Sequence, residues 1–213
     1  MAVNKKLKLL SEAILFSFSL MVFSYFIHHK LPFQLISFTA LLIPSYIVGK
    51  NLKSLSDLKK ITGEFFSIKI SLLYSLIGLL AGVLIASLYR WSLGISIFPA
   101  TIHYFVIVAA LIGSLEELVF RGFIQDYVKS INAPFSILFS TISHTGYKCC
   151  LFIAPLAAAD IDIGYLALCT FITGIIFGTI KHFSNSIIPT LIAHALFDIL
   201  VYAEYVNAPW WVW

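Results

Sequence analysis

Charge is what this sequence has least of. Only 11% of its 213 residues are Asp, Glu, Lys or Arg, against about 25% in a soluble domain. Hydrophobic residues make up 60%, and the mean hydropathy is +0.97. So little polar surface excludes a soluble globular domain. Cysteine is scarce too: Cys149, Cys150 and Cys169 show neither metal-ligand spacing nor a disulfide framework, and read as small apolar residues. Internal repeats and low-complexity tracts are absent, which excludes a repeat array. The formal charge of +4 lies in loops, a pattern of membrane topology. No nucleic-acid partner is expected.

What the chain does have is long apolar runs. A membrane span needs about 20 such residues, and runs near 9–28, 32–49, 69–89, 102–123, 135–153, 164–181 and 186–206 meet that need. The expected fold is all-α, a polytopic membrane helix bundle of about seven transmembrane helices, six to eight. The opening "MAVNKKLKLLSEAILFSFSLMVFSYFI" mimics a signal peptide, but its apolar run exceeds the roughly 7–15 residues of an h-region. It is expected to remain as the first helix, with Glu12 at the interface.

Lysine and arginine gather in cytoplasmic loops. Lys5, Lys6, Lys8, Lys50, Lys53, Lys59, Lys60, Lys69, Lys129 and Lys181 fall on one side; Lys30 and Arg90 fall on the other, with Asp160 and Asp162. That distribution predicts a multi-pass cell-membrane protein with a cytoplasmic N-terminus. The tail "NAPWWVW" at 207–213 then forms an interfacial aromatic belt outside. Residues 1–100 form an N-terminal helical part whose basic cytoplasmic loop, 50–69, is expected to lie against anionic headgroups.

Against this background the stretch "LIGSLEELVFRGFIQ", beginning at Leu111, is anomalous. A charged side chain near the bilayer centre costs roughly 2.5–3.5 kcal/mol, yet this run carries Glu116, Glu117 and Arg121. The fifth expected span adds His144 and Lys148, and the last adds His194 and Asp198. Taking Asp126, Pro134 and Ser184 as cytoplasmic edges, Glu116, His144 and His194 each lie ten residues inward. At 1.5 Å per residue that is roughly 15 Å, half of a ~30 Å hydrocarbon core.

Helical phase divides the roles. Glu117 and Arg121 are i,i+4 neighbours and can neutralise each other, whereas Glu116 points about 100° away. His194 and Asp198 share that spacing, so the aspartate is expected to orient the imidazole. Lys148 sits nearer the outer boundary and is expected to snorkel outward. A carboxylate with histidines at mid-membrane suits activation of water by a general base. Two histidines and a glutamate also suit zinc. A purely structural network is the weaker reading, because interhelical hydrogen bonds contribute under about 1–2 kcal/mol each.

These residues carry a resemblance. "EELVFR" at 116–121 fits the EExxxR pattern of the CPBP family, the CAAX proteases and bacteriocin-processing enzymes also called the Abi family. "HALFD" at 194–198 fits its HxxxN/D pattern, and His144 in "LFSTISH" matches the histidine of FxxxH. Ser140 stands where that motif has phenylalanine, and Asp198 where prenyl-protein members have asparagine.

The resemblance implies that residues 101–206 are a CPBP-like catalytic core, similar to type II CAAX prenyl endopeptidases. It further implies a glutamate-dependent intramembrane endopeptidase acting on a membrane-associated peptide or lipidated protein. By position, Glu116 and His144 would prepare the water, His194 and Asp198 would face the oxyanion, and Glu117 and Arg121 would hold the geometry. No cofactor is expected; zinc is possible but not favoured. Membrane lipids are expected partners, and the oligomeric state is left open. Two other readings compete: a non-proteolytic protein of the same fold that binds a partner protein or lipid, and a proton-coupled transporter. The latter lacks matching broken helices in two related halves.

Overall fold

The computed structural model of the chain describes residues 2–63, 67–154 and 161–206. The aromatic tail at 207–213 and Asp160 lie outside the described residues. Among those described, every regular element is helical. They are α1 (Ala2–Phe26), α2 (Gln34–Ala40), α3 (Leu42–Asn51), α4 (Leu55–Thr62), α5 (Ile68–Ser92) and α6 (Phe105–Glu117). A π-helical segment, Leu118–Ile124, joins α6 to α7 (Gln125–Val128); α8 (Ala133–Ile153), α9 (Ile163–Ser184) and α10 (Ile188–Tyr202) follow.

Local chemistry sets the helix ends. The Asn132 side chain accepts from the Phe135 N–H at 2.7 Å, with Pro134 in the first turn of α8. Asp162 caps α9 in the same way, and Ser67 caps α5. Asn185, at φ 52°, closes α9 in the left-handed conformation that asparagine tolerates, and Pro189 lies in the first turn of α10.

Packing then brings these helices around one another. A Cβ on Gly78 would lie 2.1 Å from the Pro189 carbonyl oxygen, and one on Gly82 would lie 2.4 Å from that of Ala193. The backbones of α5 and α10 therefore touch, as small residues four apart allow between membrane helices. Ala193 precedes His194, so α5 sets the height of that histidine. On the other side, Phe16 and Leu20 of α1, Ile47 of α3 and Ile61 of α4 pack on Phe120, Phe123 and Ile124 of the π-helical segment.

Three helical stretches are long and apolar enough to cross a membrane: Lys6–Phe26, Ile68–Ser92 and Ile163–Ser184. A fourth is added if Gln34–Asn51 and Leu55–Thr62, bent by 110°, count as one. Leucines such as Leu72, Leu80 and Leu84 on α5 face outward, the pattern of a lipid-exposed surface. Three or four spans is fewer than the seven expected. The other expected spans, 102–123, 135–153 and 186–206, are those that carry the ionisable residues, and α10 is only 15 residues long.

The basic loop also makes a contact with the bundle. Its α4 keeps Lys53, Lys59 and Lys60 exposed around it, but Ile61 is buried, and the Thr62 carbonyl accepts the Ile187 N–H at 2.8 Å. Gly63, at φ 73°, pairs with Ser186. The loop is thus anchored at the α9–α10 turn, with Ile61 as the buried position of α4.

Candidate active site

The six residues singled out by charge converge. Glu116 and Glu117 close α6, Arg121 lies in the π-helical segment, His144 is on α8, and His194 and Asp198 are on α10. All six are buried. The π-helical turn widens the helix where Arg121 leaves it, a distortion frequent at functional sites. Ser140 donates from Oγ to the Phe120 carbonyl at 2.6 Å, satisfying an oxygen within that segment. The Phe120 ring in turn stacks on His144, centroids 4.6 Å apart. The serine that replaces the motif's phenylalanine thus holds the turn, and the aromatic cover of His144 comes from Phe120.

Glu116 is not free. Its Oε2 lies 3.1 Å from His144 Nε2, and its Oε1 lies 2.5 Å from Lys148 Nζ. Arg121 Nη1 contacts His144 Nδ1 at 2.8 Å. A guanidinium only donates, so Nδ1 must accept, and the His144 proton sits on Nε2, pointing at Glu116. His144 is therefore a donor that orients the carboxylate.

Glu117 forms the second layer. Its Oε1 lies 3.1 Å from Arg121 Nη1, the i,i+4 pair expected from phase, and accepts from His194 Nδ1 at 3.0 Å. Asp198 Oδ2 is 3.8 Å from His194 Nε2, too long for a direct hydrogen bond. Glu117, not Asp198, thus orients the His194 ring. The α-helical spacing of His194 and Asp198 allows a contact, but the ring turns its Nδ1 towards α6. His194 Nε2 faces Glu116 Oε2, also at 3.8 Å.

Lys148 does not snorkel outward. It lies one turn beyond His144 on the same face of α8, and its side chain reaches back to Glu116. The i,i+4 spacing from His144 was the signal that could have found it. Gly113 was missed as well: a Cβ there would lie 2.1 Å from Asp198 Oδ2 and 2.8 Å from His194 Cδ2. Glycine three residues before Glu116 leaves the space that these two side chains of α10 occupy against α6.

Two contacts already engage the donors that zinc would need. The Nε2 of His144 carries its proton, and Lys148 already abuts Glu116. Among the described residues no group of three or more His, Cys, Asp or Glu has metal-holding geometry.

The residues that build the site fall within a known family segment. Residues 98–200 match the family model described as Rce1-like, type II CAAX prenyl endopeptidase Rce1-like. The EExxxR and HxxxD motifs lie inside that segment, so the resemblance to the CPBP family is borne out over residues 98–200, and the long apolar helices fit a membrane protein. Neither the curated proteins nor the solved structures yield a match to this chain.

Proposed function

We propose that the chain is an intramembrane endopeptidase in which Glu116 is the general base that activates water. The observation that carries this reading is the setting of the Glu116 carboxylate. One oxygen is held by the His144 Nε2 proton at 3.1 Å and faces His194 Nε2 at 3.8 Å. A water bonded to both Glu116 and His194 fits a separation of that size. It would lose its proton to Glu116 as it attacks the peptide carbonyl. Proton transfer of this kind contributes about 10²–10⁴-fold.

Glu117 and Arg121 hold the imidazoles in place, and Asp198 supports the position of His194 from beyond hydrogen-bonding distance. The reaction is metal-independent, since the tautomer of His144 leaves no lone pair towards Glu116. The substrate is a membrane-associated or lipidated peptide. On the neighbouring face of α6 an apolar cavity of about 380 Å³, lined by Leu111, Leu115, Leu118 and Leu191 among others, suits its lipid. In this reading residues 101–206 are the catalytic core. The chain crosses the membrane seven times with a cytoplasmic N-terminus, the spans that carry the site being polar because they line it.

The test is cleavage of a lipidated peptide by the purified protein in nanodiscs, followed by mass spectrometry after dialysis against a strong chelator. Unimpaired cleavage is expected. Activity that vanishes with the chelator and returns with zinc would contradict the metal-independent mechanism.

A further inference from the structure

Hydrolysis of a peptide bond moves negative charge onto the carbonyl oxygen, and that charge must meet a donor. The described site is poor in them. Ionised carboxylates only accept, which removes Glu116 and Glu117, both paired with a cationic side chain. Arg121 is 1% exposed, directs Nη1 at Glu117 and His144, and turns Nη2 against Gly174 of α9, so its remaining N–H groups are shut inside the bundle. The His144 proton is spent on Glu116. His194 gives Nδ1 to Glu117 and turns Nε2 towards two carboxylates.

Lys148 is different. Its Nζ carries three protons and lies 2.5 Å from Glu116 Oε1. With its side chain 20% exposed, against 6% for Glu116, it is also the more accessible partner. A substrate reaching Glu116 meets this ammonium.

We propose that Lys148 is a catalytic residue that stabilises the oxyanion, resting on Glu116 until the charge moves. This rests on the protease reading above. In the attack step the water oxygen bonds to the carbonyl carbon, and one water proton passes to Glu116. The carbonyl π pair moves to oxygen. Glu116 thus loses its negative charge in the step that creates the oxyanion, and the ammonium follows the charge by donating a hydrogen bond without losing a proton. On collapse the C–N bond breaks, the pair on oxygen re-forms the carbonyl, and the Glu116 proton goes to the leaving nitrogen. Glu116 is then ionised again and recovers Lys148. Exchange between two carboxylate-like oxygens is easy for a flexible ammonium and unsuited to a planar guanidinium.

The experiment compares wild type, K148M and K148R in nanodiscs on one peptide, reading kcat, KM and the melting temperature, with E116Q/K148M as the folding control. Infrared spectra report the Glu116 carboxylate, assigned as the band lost in E116Q. K148M should lower kcat about 10²–10³-fold, as loss of one oxyanion donor does, with KM within about threefold and the Glu116 band shifted. K148R should recover less than a tenth of the lost rate. A kcat for K148M within threefold of wild type overturns the proposal, as does a raised KM at unchanged kcat. Should K148M fail to fold while the double variant folds, a K148R rate equal to wild type overturns it, and a rate tenfold or more lower supports it. A wild type that cleaves nothing, together with a shifted band in K148M, removes the protease reading and the catalytic role but leaves the ion pair. An unmoved band beside a cleaving wild type overturns the resting contact alone, and with it this proposal.

Discussion

Two arginines, Arg90 and Arg121, are each 1% exposed in helices of one bundle, each with a glutamate beside it. Arg90 closes a network. Its Nε donates to the Ser96 carbonyl at 2.7 Å, Nη1 to that of Leu200 at 2.9 Å, and Nη2 to Glu204 at 2.9 Å. All three nitrogens are engaged, and the result ties the end of α5 to the end of α10. Arg121 does the reverse: Nη1 serves Glu117 and His144, whereas Nε and Nη2 have no hydrogen-bond partner among the described residues. Around it one carboxylate oxygen, Glu117 Oε1, serves two cationic or polar groups. A network that closes on itself holds helices together. The Arg121 network instead sets the direction of two imidazoles, His144 directly and His194 through the shared Glu117 oxygen.

The comparison breaks most sharply by removing each arginine. Arg121→Met strands Glu117 inside the bundle, and an orphaned buried charge costs about 3–5 kcal/mol. It also frees His144 to take the other tautomer, so cleavage should be abolished. Arg90→Met leaves two carbonyls unsatisfied, at about 1–3 kcal/mol each. Thermal melts and peptide cleavage below both transitions check this: both variants should melt lower, and only Arg90→Met should keep the activity of the folded protein.

A smaller effect follows from Gly113. Adding one methyl group brings Cβ within 2.1 Å of Asp198 Oδ2 and 2.8 Å of His194 Cδ2, so these side chains, or α10 with them, must move away from α6. Gly113→Ala is expected to slow cleavage by about 10²-fold, the scale of a 1 Å misplacement, with melting lowered by only a few degrees. Equal rates for Gly113→Ala and wild type would show that the spacing of α6 and α10 does not matter.

The smallest effect belongs to the outer network. The Glu204 carboxylate accepts from the Ala100 backbone N–H at 3.0 Å and from Arg90 Nη2 at 2.9 Å, with its side chain 39% exposed. Such a half-open pair contributes about 0.2–1 kcal/mol. Glu204→Gln should therefore lower the melting temperature by a few degrees at most and leave the cleavage rate at the wild-type value, as thermal melts and the peptide assay would measure.

Much of this was legible in the sequence, and for a physical reason. Charges are so costly in an apolar span that Glu116, Glu117, Arg121, His144, His194 and Asp198 stood out, and equal depth along three helices was enough to bring them together. What stayed hidden depends on side-chain direction. Depth placed Lys148 near the boundary but could not say that its four-carbon stem folds inward. Helical spacing paired His194 with Asp198, but the ring's rotation gave Nδ1 to Glu117. Gly113 was invisible because glycine is common in membrane helices, and its role depends on what α10 presents opposite it. The docking of Ile61 and Thr62 that follows the 110° bend before α4 is likewise a contact no local pattern encodes.

The central claim is that Glu116 is the base and that Glu117, its neighbour, is a support. The most direct measurement is the cleavage rate and melting temperature of Glu116→Gln beside those of Glu117→Gln, on one peptide in nanodiscs. The account predicts that Glu116→Gln loses cleavage by at least about 10²–10⁴-fold while its melting temperature falls less than that of Glu117→Gln, because its cationic partner Lys148 is 20% exposed and Arg121 only 1%. Glu117→Gln, which leaves Arg121 without its carboxylate, should melt lower as it loses activity. A Glu116→Gln protein that still cleaves at the wild-type rate would contradict the account.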